Sequence, residues 1–146
     1  MTAGAGFLLA VLWFDLMFDV QVVPYRRSEL PESVVASIAT YYRRVTTDAG
    51  RMSRLVALFM VVTVAGIVAQ IVRGDGPAIA RWLSLLLAIG PIGIAATRTV
   101  PRAMRLGTRG GAFETQASAA RTIFAEHVFC LCSIGALLCV QLLWMR

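Results

Sequence analysis

Four apolar runs, parted by polar and arginine-rich stretches, set the plan of this chain. They are Ala3 to Val23, Leu55 to Val72, Trp82 to Thr97 with an upstream extension from Pro77, and Thr122 to Met145. Each approaches or exceeds the ~20 residues that a helix needs to cross hydrocarbon. Spans are predicted over about residues 3–23, 55–72, 79–98 and 122–145. No cation precedes the first run, and Arg26 and Arg27 follow it. That is the reverse of a cleavable signal, so a retained helix is expected. The predicted class is all-α: a polytopic four-transmembrane-helix bundle forming one integral membrane domain over 1–146.

The stretches between the runs carry a second pattern. After SELPES, Val34, Val35, Ile38, Tyr41, Tyr42 and Val45 recur at helical spacing. An amphipathic helix is predicted there, with Ser28 as cap and Pro31 in its first turn, running on into the second span as one bent rod. Before the fourth run, Arg98, Arg102, Arg105 and Arg109 recur at spacings of 4, 3 and 4, which is one helical face. Gly110 and Gly111 should end that helix, and another should start near Thr115. RGDGPAIAR reads as a short turn. Pro91, with Gly90 and Gly93 beside it, predicts a kink in the third span. These residues either open a ligand path or allow close helix packing.

Composition strengthens the membrane reading: 58% of the 146 residues are hydrophobic, well above a soluble domain of this size. The net charge of +6 comes from 14 arginines and no lysine, so lysine Schiff-base chemistry is excluded. The arginines flank apolar runs, which favours membrane orientation over nucleic acid as the reason for the high charge. Six lie in the first long loop and five in the second; the short hairpin has only Arg73 and Arg81, and the C-terminus only Arg146. Positive-inside counting puts both long loops in the cytoplasm of a plasma (inner) membrane and both termini outside. Trp82 and Trp144 then meet the outer interface and Tyr25 the inner one. The face of Arg98, Arg102, Arg105 and Arg109 is expected to meet anionic lipid headgroups.

Two acids interrupt the first run. Asp15 and Asp19 are one turn apart and share a face with Leu8, Leu12 and Val22. They sit roughly 12 Å and 6 Å from Val23 at the helical rise. An acid at mid-span costs roughly 2.5–3.5 kcal/mol on insertion scales, so it should face protein, a counter-charge or a cavity. In the fourth run Glu126 and His127 come at the same depth, roughly 8 Å past Arg121. Asp15, Asp19, Glu126 and His127 are therefore the candidate site, on the expectation that spans one and four are neighbours.

Three uses fit that set. Three carboxylates and one imidazole suit a divalent iron, manganese or zinc ion better than copper(I), although the paired Glu-x-x-His of dimetal bundles is missing. A histidine that titrates near neutral pH suits proton handling. A purely structural role needs only a counter-charge, for which Arg98 or Arg54 is the expected partner of Asp19.

The remaining polar residues of the runs, Thr63, Gln70, Ser84, Ser133 and Gln141, are expected to bond between helices. Cys130, Cys132 and Cys139 form no CxxC pair and read as small packing residues. No Walker loop, GxSxG, HExxH, CxxCH or GxGxxG is present, and a single histidine cannot supply bis-histidine haem ligation within one subunit.

TVPRAMRLG, closing span three, and SAARTIFAEHV, opening span four, resemble the small four-span membrane proteins grouped with anthrone oxygenases, the domain of unknown function 1772 class. The likeness covers a Pro-containing basic segment followed by a helix with Arg and His near its start. It lacks the Asn and Trp expected around those segments. The resemblance implies Arg121 and His127 as positions of interest and an oxygenase role.

Three function classes follow. The first is a small non-enzymatic membrane protein, working as an accessory subunit or homo-oligomer. The second is a membrane enzyme, metal-dependent, acting on a lipophilic substrate, with Asp15, Asp19, Glu126, His127 and Arg121 as catalytic candidates. The third is a small ion or proton-coupled transporter with Asp15 and Asp19 on its path.

Overall fold

The computed structural model describes residues 2–144. Met145 and Arg146, assigned above to the end of the fourth run and to the C-terminus, lie outside the described residues. Those described residues are mostly helical, with no strand.

Helix α1 (Thr2–Asp19) tightens into a 3-10 turn over Val20–Tyr25, and the chain reverses into α2 (Glu32–Tyr42). Pro31 is the N-cap of α2, in extended conformation, with its carbonyl accepting from Val34 and Val35. Ser28 is not the cap, and Pro31 precedes the first turn instead of lying in it, so the helix starts three residues later than a Ser28 cap would place it. Its last turn widens into a π segment, Arg43–Asp48. Ala49 then leaves helical geometry, so α3 (Gly50–Arg73) starts afresh and the single bent rod is interrupted there. Gly74 ends α3 with φ of 73°, a left-handed position that suits glycine, while Asp75 N–H reaches back to the Gln70 carbonyl.

Helix α4 (Ala78–Ile94) passes through Pro91 without ending. The departure from α geometry comes four residues later, as a π segment over Ala95–Thr99, before α5 (Val100–Gly107). Pro101 has no N–H to return to Thr97, and its ring would crowd that carbonyl in a regular helix. A widened turn ahead of it gives that ring room. Arg98 sits in this π segment, and Arg109 lies beyond α5 with φ of 55°. The four arginines therefore do not form the single helical face that their spacing suggests.

Helix α6 (Phe113–Trp144) has 32 residues, roughly 48 Å at the helical rise. That exceeds a bilayer core of ~30 Å, so its first turns project past the spans. It packs on α1 and α4, while α3 packs on α4 and α1, closing a four-helix ring with spans one and four adjacent as expected. α2 and α5 pack on each other and on α6, at the end where α1 stops and α6 starts. Both arginine-rich loops thus share one end of the bundle.

Two apolar cores result. One joins the spans through Leu8, Ile67, Ala88, Ile134 and Leu137. The other, at the loop end, is built on Val22, Val35, Ile38, Leu106 and Ile123. The outward faces are apolar too: Trp13, Val61, Leu86 and Leu143 are all more than half exposed. Water would not tolerate so large an apolar surface. Four helices, Thr2–Tyr25, Gly50–Arg73, Ala78–Gly107 and Phe113–Trp144, are long and apolar enough to cross a membrane. The chain is a multi-pass membrane protein.

Close packing at the loop end centres on Gly107. A Cβ there would lie 2.8 Å from the Arg43 backbone nitrogen, and backbone cannot rotate aside. Gly107→Val should destabilise the detergent-solubilised protein by about 1–3 kcal/mol. Gly6→Ala, which meets nothing within 4 Å, should not. Thermal unfolding of both variants checks this, and equal melting temperatures would refute it.

Candidate functional site

The acids of α1 converge with the histidine of α6 in the layer between the two cores. Asp19, fully buried, places Oδ2 at 2.7 Å from His127 Nδ1. Asp15, one turn back, places Oδ2 at 3.9 Å from the other ring nitrogen, Nε2. That is too long for a direct hydrogen bond. Both nitrogens of one imidazole are thus addressed by carboxylates, tightly on one side and loosely on the other.

Helix α2 completes the cluster. Tyr42 OH donates to Asp19 Oδ1 at 2.7 Å, and Tyr41 OH donates to Asp15 Oδ1 at 2.7 Å. The Tyr42 oxygen also lies 3.4 Å from His127 Nδ1. Adjacent residues on a helix normally point apart, yet these two hydroxyls reach successive turns of α1. Their rings meet edge to face at 5.3 Å, and Phe18 of α1 stacks on Tyr41 at 4.0 Å. Burial, and then the carboxylate each phenol faces, push both hydroxyls well above the ordinary tyrosine range. They stay protonated and act as fixed donors.

A cavity of about 90 Å³ opens from this layer toward the span core. Asp15 and His127 form its polar wall; Leu8, Met60, Pro91 and Ile134 are among its apolar neighbours. An apolar cavity of ~150 Å³ takes benzene, so this one takes a few waters or a hydroxyl, but no ring without moving. A small hydroxyl guest there can bridge the 3.9 Å gap between Nε2 and Oδ2.

Glu126 does not join the cluster. It neighbours His127 in sequence, and adjacent helix positions face about 100° apart. It turns to the third span instead, accepting from Thr99 Oγ1 at 2.7 Å and pairing with Arg102. Among the described residues, no three His, Cys, Asp or Glu side chains are arranged to hold a metal ion. Asp19 takes neither Arg98 nor Arg54 as its partner; the imidazole and a phenol fill that place.

Arg121 lies away from the cluster. Its Nη2 donates to the Tyr25 and Ser28 carbonyls at 3.1 and 2.6 Å, clamping the reversal between α1 and α2. Arg109 pairs with Glu32 across α2, so two of the four expected headgroup arginines are engaged within the chain. Cys130, one turn past His127, donates to the Pro91 carbonyl at 3.6 Å. All three cysteines are free thiols. A Cβ on Gly90 or Gly93 would meet nothing within 4 Å, so neither serves close packing.

A second polar chain crosses the spans nearer the hairpin. Gln70 Nε2 donates to Gln141 Oε1 at 3.1 Å, and Gln141 Nε2 donates to Ser84 Oγ at 2.8 Å. These residues bond between helices, as polar groups in spans usually do.

No family model, curated protein or solved structure matches this chain.

Tyr41 and Tyr42 are the site residues that pattern reading missed. They counted as apolar positions of an amphipathic stripe. Their hydroxyls were the available signal, because a buried phenol nearly always finds a partner. Since the folded state holds both phenolic protons above the ordinary value of ~10, it binds more protons than the unfolded chain there. Stability should be unaffected by these groups below that value and fall as pH rises past it. Ultraviolet titration should show two of the three tyrosines ionising only as the protein unfolds. Their ionisation in the folded protein at the ordinary phenol value would contradict the assignment.

Proposed function

We propose that this chain is a small non-enzymatic protein of the plasma (inner) membrane, an accessory subunit or homo-oligomer, in which Asp15, His127 and Asp19 hold an exchangeable proton within the inner half of the bilayer. One observation carries this reading. His127 stands between two carboxylates, with the Asp15 side opening onto a cavity large enough for water. Adding or removing a proton at Nε2 or Asp15 Oδ2 changes the charge of a low-dielectric layer by one. Such a change is felt strongly by everything packed around it.

The exchange is one-sided. From His127 to Gln141 is roughly 21 Å along α6, and Ile134 and Leu137 fill the interval. The polar chain of Gln70, Gln141 and Ser84 therefore does not continue the Asp–His layer. In this reading protons enter and leave on the side of the layer away from Gln141, at the end where α2 and α5 sit. This favours a proton-sensing or proton-coupled subunit over a transporter with a continuous path.

In this reading the arginine-rich end faces the cytoplasm and both termini lie outside. Arg98 and Arg105, exposed and without ion pairs among the described residues, meet anionic headgroups.

A membrane enzyme acting on a lipophilic substrate is the second reading, favoured by the cavity against Asp15 and His127. The likeness to the anthrone-oxygenase class points the same way through His127. A ring-sized substrate would need the Pro91–Thr99 segment to move aside.

In liposomes, pH-difference infrared spectra should show a protonated-carboxyl band that Asp15→Asn abolishes. A spectrum unchanged by both Asp15→Asn and Asp19→Asn would sink the proton reading. A reporter active only outside the cytoplasm should work at the C-terminus and fail in the loop between α5 and α6. The opposite pattern would invert the topology.

A further inference from the structure

At the loop end, a groove of about 470 Å³ runs between the 3-10 turn after α1 and the outer side of α6. It is lined by Val22, Arg26, Arg121, Phe124, Ala125 and Val128. We propose that it binds one anionic phospholipid, with the phosphate on Arg26 and Arg121 and an acyl chain along Phe124, Ala125 and Val128.

The sequence of α6 explains the shape. Arg121, Phe124, Ala125 and Val128 stand at i, i+3, i+4 and i+7, which is one helical stripe. It starts with a cation at the rim and turns wholly apolar along the span. Ala125 is the small residue of the stripe and leaves a trough between its larger neighbours. Val22, on the facing turn, forms the opposite wall. A charged head over an apolar track is the profile of a lipid, and neither a free anion nor a polar peptide would use the track.

The charge is also unmet. No carboxylate lines the groove. Among the described residues, neither Arg26 nor Arg121 has an ion pair. Arg121 spends Nη2 on two backbone carbonyls, and its buried Nε has no hydrogen-bond partner. A half-buried guanidinium with no counter-charge is costly, and a phosphate at the mouth would offset that cost. The larger groove between α5 and α6 differs, because Glu114 stands in its wall beside Arg102 and Arg105. The lipid site would also brace the reversal that Arg121 clamps, and so the placement of Tyr41 and Tyr42. The site needs only the membrane reading and stands or falls apart from the proton chemistry of Asp15 and His127.

The test is lipid retention. The full chain is reconstituted into nanodiscs of equimolar phosphatidylglycerol and phosphatidylcholine, extracted into mild detergent and weighed by native mass spectrometry. Wild type should keep phosphatidylglycerol in preference to phosphatidylcholine. Arg26→Gln, at an exposed position that leaves the clamp intact, should lower that retention about fivefold, as expected for one arginine at a lipid surface. Val128→Trp, which fills the track, should lower it without changing charge. Arg73→Gln, at the opposite end, should leave it unchanged. Equal retention of the two lipids would overturn the proposal, as would wild-type retention in both Arg26→Gln and Val128→Trp. Displacement of the lipid by inorganic phosphate would make the groove a plain anion site, and a copurifying protein in place of lipid would make it a subunit contact. Either result would also overturn it.

Discussion

The contact between Asp19 and His127 is the interaction on which the rest of this structure depends. It lies between two apolar cores, where an unpartnered carboxylate would be prohibitively expensive. Asp19 is fully buried, so both of its oxygens need donors, and they come from two other helices: the imidazole of α6 and the Tyr42 hydroxyl of α2. One buried acid thereby fixes the rotation of α1 against α6 and the docking of α2 beneath both. The apolar cores above and below are non-directional and permit many small slides. The polar layer is directional and permits few.

Asp15 shares that layer but not that role. It has one donor in Tyr41 and a 3.9 Å gap to Nε2, with the cavity alongside. The same two residue types, one turn apart, thus make a closed structural pair at Asp19 and an open, adjustable pair at Asp15. That asymmetry is the basis for placing proton exchange at the cavity side. The neighbouring charges serve as anchors. Glu126 ties α6 to the widened turn of the third span, and Arg121 ties it to the reversal after α1. Each anchor holds an irregular segment that bears on the cluster: the π segment that lines its cavity and the turn that delivers its tyrosines.

Much of this was legible from spacing and depth. The four-residue step from Asp15 to Asp19 put both on one face with Leu8 and Val22, and all four line the interior or the site. Counting back from the end of the first run and forward from the start of the fourth brought His127 to the level of the acids. The same count failed for Glu126, because depth is a one-dimensional measure and adjacent helix positions diverge by about 100°. Arg98 to Arg109 failed for a related reason. Their spacing assumes an unbroken α-helix, and the π segment before Pro101 and the turn at Arg109 break it.

By itself, the sequence determined the number of spans, their adjacency across short and long loops, and the face of α1 that turns inward. These follow from apolar length and helical period, which are local quantities. Only the tertiary structure decided which donor each acid takes. Tyr42 and His127 take the place at Asp19 expected for Arg54 or Arg98, and Tyr41 takes Asp15, because α2 folds back against α1 and α6, and nothing local to either segment encodes that reversal. It also decided that Asp15 faces a cavity while Asp19 is sealed. That difference arises from three helices meeting at one layer, where a side chain's partners are set by packing and not by its neighbours in sequence.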